Sequence, residues 1–361
     1  MRVKKPSLKT YNMNQLCKES NNIDGHIHTA SSPDANLTIE EVIKEAKERN
    51  LSHIAITDHN TCAGVDNYMR SLGLSDDKIY FQQDGIKVAC GAEITCYYSH
   101  SAKKKQKLHI LCYGFNRDPN NPFMRLLRDK YEDYLETFFT IPETLVKYGN
   151  ENYGKVYSRD DFKNYVFDKL VSENSSIHDK YTWEEVIDYF SNKGFSSERL
   201  KLELLRLRNL FKTRDNIILN VKSVIDAVHK AGGKCMIAHP LKSFKKFSDR
   251  YNHNKIQRFS YAEMMTNTLL KMGVDGVELI SYTNDDIKET YNALYQNVKF
   301  TSYGSDKHTN SKDSIQLGQI HGYNPPCNFK YVIEKLQADQ SSNFSNSANN
   351  LTKRYVTRLE I

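Results

Sequence analysis

Two histidines one residue apart mark the first place where this chain could do chemistry. His26 and His28 lie in "DGHIHTASSPDA" (24–35), after a short apolar lead-in. Residues i and i+2 of a β-strand point to the same side of a sheet, so both imidazoles can reach one metal ion. A pair of this kind also occurs by chance on protein surfaces. The interpretation therefore depends on the polar residues elsewhere in the chain.

Further imidazole and carboxylate groups follow other apolar segments that are typical of strands. They lie in "TDH", "GAEIT", "KLHILCYG", "IAHP" and "GSDKH", and they are Asp58, His59, Glu93, His109, His239, Asp306 and His308. Taken singly, a buried histidine or a loop-capping aspartate is an ordinary structural feature. Glu93 differs because a carboxylate within "VACGAEITCYY" is costly to bury unless it is paired or coordinated. The combination predicts one metal site built at the ends of several strands.

The elements that would position these groups are seven predicted strands, each an apolar or β-branched run bounded by turns or helices. They cover 23–28, 53–57, 87–98, 107–115, 234–239, 275–280 and 299–305. Amphipathic helices separate most of them, including one that begins at a capping box of Thr38 and Glu41. This alternation predicts an α/β fold with a mainly parallel sheet in a closed or nearly closed barrel, whose active site lies at the C-terminal ends of the strands.

One long interval breaks the alternation. Residues 117–220 read as mostly helical, with apolar residues at spacings of three and four. We interpret this interval as a helical insertion that covers one end of the barrel and acts as a lid or substrate-selectivity subdomain. The barrel would then comprise 21–116 and 221–336, with a polar N-terminal extension over 1–20 and a polar C-terminal tail over 337–361.

The composition is that of a soluble globular protein. The chain has 361 residues, of which 39% are hydrophobic and 26% charged, and its formal net charge is +7. No run approaches the roughly 18 apolar residues that span a bilayer, and the first residues lack the apolar core of a secretory signal. Seven cysteines without a CxxC pair fit reduced thiols. We therefore expect a cytoplasmic protein that favours anionic ligands, although this charge does not identify nucleic acid.

As a set, these motifs resemble the polymerase and histidinol phosphatase family, the PHP domain. The resemblance rests on "DGHIHTASSPDA", "AITDHNTCAG", "GAEIT", "LHILCYGF", "AHP" and "GSDKH", and it covers roughly residues 21 to 322. It implies a distorted TIM-like (β/α)7 barrel that binds two or three divalent ions (Mn, Zn or Fe) and hydrolyses phosphate esters. "TDHNTCAG" and the helical insertion are most similar to the branch of nucleoside bisphosphate phosphatases and 5'-3' exonucleases.

The resemblance also implies three groups of metal ligands. The first ion would be bound by His26, His28, Glu93 and Asp306. Glu93 would bridge to a second ion, bound also by His109 and His239. The third ion would be bound by Asp34, His59 and His308.

Two positions depart from the family pattern. Asp34 is followed by Ala35 where relatives usually have glycine, and Asn60 stands where many relatives carry an aspartate. Neither departure removes a ligand. Whether Asp34 reaches an ion, and hence whether the site holds two ions or three, stays open from the sequence.

The implied mechanism uses a metal-bridging hydroxide as the nucleophile, because divalent ions lower the pKa of bound water. The catalytic candidates beside it are Asp58, His239 and His308. The candidates for binding substrate phosphate are Arg199, Arg206 and Arg208 in the insertion and Lys242 after "AHP". For the arginines, a solvated helix face is the alternative interpretation. Tyr97, Tyr98 and Tyr113 either stack on a base or pack in the core.

Three functions remain open at this point. The first is a metal-dependent phosphoric ester hydrolase acting on a phosphorylated small molecule, such as a nucleotide, or on a short nucleic acid. The second is an amidohydrolase-like metal enzyme that cleaves a non-phosphate bond. The third is a catalytically silent module that binds metal or nucleotide, although the intact ligand set argues against it. None of the three requires a membrane.

Overall fold

The chain is described from a computed structural model. The structure describes residues 22–32, 34–101, 104–172, 183–207, 210, 219–240, 242–244, 255–279, 298, 300–310, 315–318 and 328–339. The predicted N-terminal extension, the C-terminal tail beyond residue 339 and a helix expected between the last two strands lie outside the described residues.

One sheet organises the described part of the chain. Its strands are β1 (Ile23–Ile27), β2 (His53–Ile56), β3 (Tyr80–Gln83), β4 (Ile86–Ser101), β5 (Lys104–Tyr113), β6 (Leu219–Asn220), β7 (Lys234–Ile237), β8 (Gly276–Leu279) and β9 (Phe300–Tyr303). The main path runs β1-β2-β4-β5-β7-β8-β9, while β3 and β6 pair with β4. These seven main strands match the seven predicted ones. The short strands β3 and β6 were not predicted, because four and two residues give too little alternation to recognise.

The two ends of the sheet meet at the site side of the barrel. Ile27 forms a parallel bridge with Lys307, which lies four residues beyond β9. The backbone N–H of His28 donates to the carbonyl of Lys307 at 2.9 Å, and the N–H of Asp306 donates to the carbonyl of His26 at 3.0 Å. The sheet is therefore a nearly closed barrel, which confirms the distorted TIM-like fold.

One strand of the main path is antiparallel to its neighbours. β5 is antiparallel to both β4 and β7, whereas the β1-β2-β4 and β7-β8-β9 pairs are parallel. Only residues 102 and 103 separate β4 from β5. A parallel connection needs a crossover of a dozen or more residues, so this link can only make a hairpin. β5 is thus the antiparallel exception in a sheet that is mainly parallel, as the sequence predicts.

The helices lie between the strands in the expected order. They are α1 (Ile39–Glu48), α2 (Ala63–Ser71), α3 (Pro122–Tyr148), α4 (Tyr153–Val156), α5 (Arg159–Ser172), α6 (Trp183–Ser191), α7 (Ser197–Leu207), α8 (Val221–Lys230) and α9 (Lys255–Met272), followed by a helix over 329–339. α1 has the predicted capping box of Thr38 and Glu41. Within the described residues, no helix is long and apolar enough to cross a membrane.

Three apolar clusters hold these elements together. The first cluster is formed by strand residues and the apolar faces of α1, α2, α8 and α9. The second, the inner cluster, is formed by other strand residues and the helix over 329–339. A third cluster belongs to α3 through α7 and includes Phe138, Phe162 and Phe190. The start of α3 differs, because Phe123 and Leu127 pack in the first cluster. The helical region between β5 and β6 thus has its own core but shares its first helix with the barrel.

Candidate metal centre

His26 and His28 leave β1 with their Nε2 atoms 2.9 Å apart. Nδ1 of His26 donates to Oε1 of Glu278 at 2.7 Å. Ser32 Oγ donates to Oδ1 of Asp58 at 2.9 Å, so it accepts from Nδ1 of His28, also at 2.9 Å. These bonds orient both Nε2 atoms toward the same point. Two nitrogen lone pairs this close repel each other unless a proton or a metal cation lies between them.

Glu93 of β4 faces this point with one carboxylate oxygen. Its Oε2 lies 3.4 Å from Nε2 of His26, 3.4 Å from Nε2 of His28 and 2.8 Å from Nδ1 of His59. The side chain is fully buried, yet Oε2 accepts no hydrogen bond of normal geometry. A buried carboxylate oxygen without a hydrogen bond is costly in a protein interior, and coordination of a cation removes that cost.

The other oxygen of Glu93 faces a second pair of imidazoles. Oε1 lies 2.8 Å from Nδ1 of His109 and 2.8 Å from Nε2 of His239, and these two nitrogens are 3.3 Å apart. Ser243 Oγ lies 3.1 Å from Nδ1 of His239 and keeps Nε2 turned toward Glu93. Glu93 therefore stands between two groups of nitrogen ligands, as a bridging carboxylate would.

Asp306 completes the first group. Its Oδ1 lies 3.4 Å from Nε2 of both His26 and His28. The ligand atoms of His26, His28, Glu93 and Asp306 all lie within 4.8 Å of one another. Asp306 has φ 55°, and His239 has φ 29°, backbone conformations that are uncommon for non-glycine residues. Such strain is often found where a side chain must be held in a functional position.

The structure places the predicted third group more loosely. Asp34 Oδ2 lies 3.4 Å from Nε2 of His59 and 3.7 Å from Nε2 of His308, and the Asp34 side chain is 58% exposed. His28, His59 and His308 form a tighter set, with ligand atoms within 4.8 Å of one another. Ala35, the residue after Asp34, is buried and does not have a positive φ. Glycine is therefore not required at position 35.

The charges in this cluster favour a cation. Burial alone would lower the pKa of His26, but Glu278, Glu93 and Asp306 raise it well above its ordinary value. Burial would raise the pKa of Glu93, but the surrounding imidazoles, led by His26, hold it well below its ordinary value. Against the effect of burial, Asp34 and Glu93 raise the pKa of His59 to about 10. The pocket attracts positive charge, and its mixed nitrogen and carboxylate donors fit zinc, manganese or iron.

A sequence profile of the PHP domain family matches residues 24–267, which is more than half of the chain. The chain belongs to the PHP domain family. The matched range includes seven of the predicted ligands and ends before Asp306 and His308. The structure brings those two side chains to the same cluster through the contact between β1 and the segment after β9.

Two known proteins are similar to this PHP domain. A phosphoribosyl 1,2-cyclic phosphate 1,2-diphosphodiesterase from Eggerthella lenta is 32% identical over 91 residues, a match that covers 25% of this chain and 30% of that relative. A solved amidohydrolase from Chromobacterium violaceum, with bound sulfate and no metal, aligns at 20% identity and a TM-score of 0.52. That alignment covers 88% of this chain and 96% of the other, and it shows that the two share a fold.

Asp58 of this PHP domain faces the loop after β1. Its two carboxylate oxygens accept from the backbone N–H of Thr29 at 2.6 Å, the hydroxyl of Thr29 at 2.7 Å and Ser32 Oγ at 2.9 Å. The backbone N–H of His59 also donates to Ser32 Oγ at 2.9 Å. Both oxygens of Asp58 therefore accept hydrogen bonds from the loop after β1, and its catalytic role stays a prediction.

Sequence reasoning missed two residues of this PHP site. Glu278 accepts from His26 through Oε1 and from the backbone N–H of His239 through Oε2, at 2.7 Å each. A fully buried carboxylate inside an apolar strand was the signal that singled out Glu93, and the same signal marks Glu278 in "DGVELI". Ser32 carried no such signal, because serine in a polar loop is ordinary.

The predicted phosphate contacts of this PHP domain divide into two sets. Lys242 donates to Oδ2 of Asp306 at 3.0 Å and is 55% exposed at the edge of the site. Arg199 and Arg206 are exposed on α7, where Arg206 donates to the carbonyl of Tyr148, and no described contact joins them to the cluster. Arg208 lies outside the described residues. Tyr113 is buried in the inner cluster, so it does not stack on a base.

Proposed function

We propose that this PHP domain is a metal-dependent phosphoesterase that hydrolyses a phosphate ester of a nucleotide or short oligonucleotide, as a phosphatase or a 5'-3' exonuclease. The observation that carries the proposal is the position of Glu93, whose two oxygens face two separate groups of imidazoles. Sites with two metals act on phosphate esters because they stabilise both the attacking and the leaving oxygen. The diphosphodiesterase named above is a relative whose substrate is also a phosphate ester.

The chain's own residues divide the work. We assign the first ion to His26, His28, Glu93 and Asp306, the second to Glu93, His109 and His239, and a third, if bound, to Asp34, His59 and His308. When bound, divalent ions supply an activated water and offset the charge on phosphoryl oxygens. The mixed donor set suits manganese, zinc or iron without selecting one of them.

The substrate approaches from the partly open side of the cluster. The side chains of His26, His28 and Glu93 are completely buried, whereas those of His59, His109 and His308 are 17%, 24% and 24% exposed. Lys242 lies at this edge, and its ammonium group can exchange Asp306 for a phosphate oxygen. Nε2 of His239 would be used by the second ion, so we assign proton transfer with the leaving group to Nε2 of His308, which is available when no third ion is bound.

Phosphate release tests the proposal. The purified chain is incubated with 5'-AMP, adenosine 3',5'-bisphosphate and a short 5'-phosphorylated oligonucleotide, with Mn²⁺ and then with a chelator. With Mn²⁺ we expect release of phosphate or, from the oligonucleotide, of mononucleotides. We expect the chelator to abolish this release, and His26→Ala and Glu93→Gln to decrease it at least about 100-fold. Glu263→Gln, an exposed carboxylate on α9, is the matched control and keeps full activity.

Three other results would contradict the proposal or support an alternative. If the protein binds metal but releases neither phosphate nor mononucleotides from any of these esters, the phosphoesterase proposal is wrong. Hydrolysis of an amide or lactone under the same conditions would then support the amidohydrolase-like alternative. Metal binding without turnover of either kind would support a catalytically silent module.

A further inference from the structure

A lysine of the helical region lies beside the candidate metal centre. Lys130 lies on α3, and its ammonium donates to the carbonyl oxygen of Thr95 at 3.0 Å and to Oδ1 of Asn60. Asn60 directly follows His59, and Thr95 lies opposite His109 in the β4-β5 ladder. The two acceptors of Lys130 therefore neighbour two candidate ligands, His59 and His109, on the open side of the cluster.

The charge of Lys130 has no carboxylate partner in the part of the chain that the structure describes. Both of its acceptors are neutral, and the side chain is partly buried. Burial lowers the pKa of Lys130 to about 8; the Cys96 thiol opposes this shift and Lys107 adds to it. An ammonium group that is shielded from water and lacks a counter-charge is costly to maintain. The position of this ammonium group, beside the open side of the cluster, suits an anionic group of a substrate.

Asn60 keeps that charge from being neutralised. Its Oδ1 accepts the backbone N–H of Thr95 at 2.9 Å as well as the ammonium of Lys130, and its Nδ2 donates to Oγ1 of Thr95 at 3.4 Å. Its φ is 59°, a conformation that asparagine adopts more readily than most residues. An aspartate here would pair with the ammonium. The amide instead holds Lys130 in place and leaves its positive charge available.

We propose that Lys130 is a specificity-determining residue that binds a second phosphate group of the substrate, one that is not attacked at the metal centre. The proposal rests on the proposed phosphoesterase function. Lys130 contacts none of the candidate ligands, so it meets a group displaced from the reacting phosphorus. Two of the three ammonium hydrogens are used by Asn60 and Thr95, and the third, which has no acceptor among the described side chains, can donate to a phosphate oxygen.

The test compares one substrate that has a second phosphate with one that lacks it. KM for adenosine 3',5'-bisphosphate and for 5'-AMP is measured with Mn²⁺ for the full chain and for Lys130→Met, Lys130→Arg and Asn60→Asp. In Lys130→Met and Asn60→Asp we expect KM for the bisphosphate to rise about tenfold and KM for 5'-AMP to change less than about twofold. Lys130→Arg should retain most of the preference for the bisphosphate over 5'-AMP. Lys147 is an exposed lysine of the same helix, and Lys147→Met should retain all of this preference.

Several outcomes would overturn the assignment. The assignment is wrong if KM rises equally for both substrates in Lys130→Met, or if it rises for neither. It is also wrong if Asn60→Asp keeps the full preference for the bisphosphate. A structural role would instead lower the thermal midpoint of Lys130→Met, which we expect to stay within about 2 °C of the wild type. If the protein turns over neither of these substrates nor the 5'-phosphorylated oligonucleotide, the proposed function fails by itself. Calorimetry on chelator-treated protein then still reports whether Lys130→Met weakens bisphosphate binding relative to 5'-AMP binding, and equal affinities would reject the proposal.

Discussion

At the scale of single residues, two buried glutamates of this site have different tasks. Glu93 faces imidazole nitrogens with both oxygens, and one of those oxygens lacks a hydrogen bond. Glu278 accepts one hydrogen bond on each oxygen, from Nδ1 of His26 and from the backbone N–H of His239. Glu93 is placed to bind ions, whereas Glu278 orients a ligand of each proposed ion and turns Nε2 of His26 into the pocket.

This difference predicts the effect of Glu278→Gln. The amide removes one of the two acceptor oxygens and the negative charge, so either Nδ1–H of His26 or the backbone N–H of His239 faces an NH2 group in place of an acceptor and loses its fixed orientation. We expect metal affinity to fall about 10- to 100-fold, because residues that orient metal ligands typically contribute that much. Isothermal titration calorimetry with Mn²⁺ measures this affinity.

The matched control is Glu263→Gln on α9, which should bind metal like the wild type. Unchanged affinity in Glu278→Gln would show that packing alone orients His26. Close packing does contribute there, since a Cβ on Gly304 would lie 2.2 Å from both Oε1 of Glu278 and Cβ of His26.

The sequence predicted much of this cluster, because histidine and buried carboxylate carry a recognisable chemical signal. The structure brings His26, His28, Glu93 and Asp306 together as expected. What was missed depends on three-dimensional contact alone. The loop that carries Ser32 folds so that its hydroxyl meets Asp58 and His28, and Lys130 approaches from a helix 70 residues away from Asn60. Neither contact leaves a periodic or compositional pattern in the chain.

At the scale of elements, the β4-β5 hairpin and the helix α3 decide how the site is built. Because β5 is antiparallel, His109 reaches the cluster from the middle of its strand and not from its C-terminal end. α3 begins against the barrel core through Phe123 and Leu127, and it continues into the separate core of the helical region. A deletion of the proposed insertion from residue 117 would therefore remove part of the barrel core together with Lys130.

A substitution in the separate core tests whether the helical region unfolds independently. Phe162 is fully buried and packs against Phe138 and Tyr189. Phe162→Ala should destabilise this region by about 3 to 5 kcal/mol, the usual cost of emptying such a site. Hydrogen exchange should then accelerate in α4 to α7 and remain unchanged in β1, β2 and β4, while Mn²⁺ affinity stays within about twofold of the wild type.

Val224→Ala provides the comparison, because Val224 is buried in the cluster between α8 and the sheet. In that variant we expect faster exchange in the barrel elements. Equal acceleration throughout the chain in Phe162→Ala would mean that barrel and helical region unfold as one cooperative unit, and it would contradict the proposed division.

At the scale of the whole molecule, the helix over 329–339 covers the barrel through the inner cluster and an ion-pair network. Glu334 of this helix accepts from Lys87 at 2.6 Å and lies 3.3 Å from Nε2 of His53. Burial lowers the pKa of His53 to about 4, and Lys87 and Lys330 add to this shift against the opposing effect of Glu334. Protonation of His53 is thus unfavourable in the folded protein.

The low pKa of His53 predicts a loss of stability in acid. Between pH 6.5 and pH 4 the unfolded chain binds a proton at His53 and the folded chain does not, so the free energy of unfolding falls as the pH falls through this window. The contribution of His53 is at most about 3 kcal/mol. Urea unfolding at pH 7 and pH 4.5 should show a smaller loss for His53→Gln than for the wild type. Equal losses in the two proteins would assign the acid sensitivity to other groups.

The contact between the first and last strands also bears on when the site can form during synthesis. Two candidate ligands of the first ion come from the end of β1, and another, Asp306, follows β9 about 280 residues later. A nascent chain emerging from the ribosome exposes His26 and His28 long before Asp306 exists. The complete set of donors therefore arises only once nearly the whole barrel has been translated, so tight metal loading would come late and report on a finished barrel.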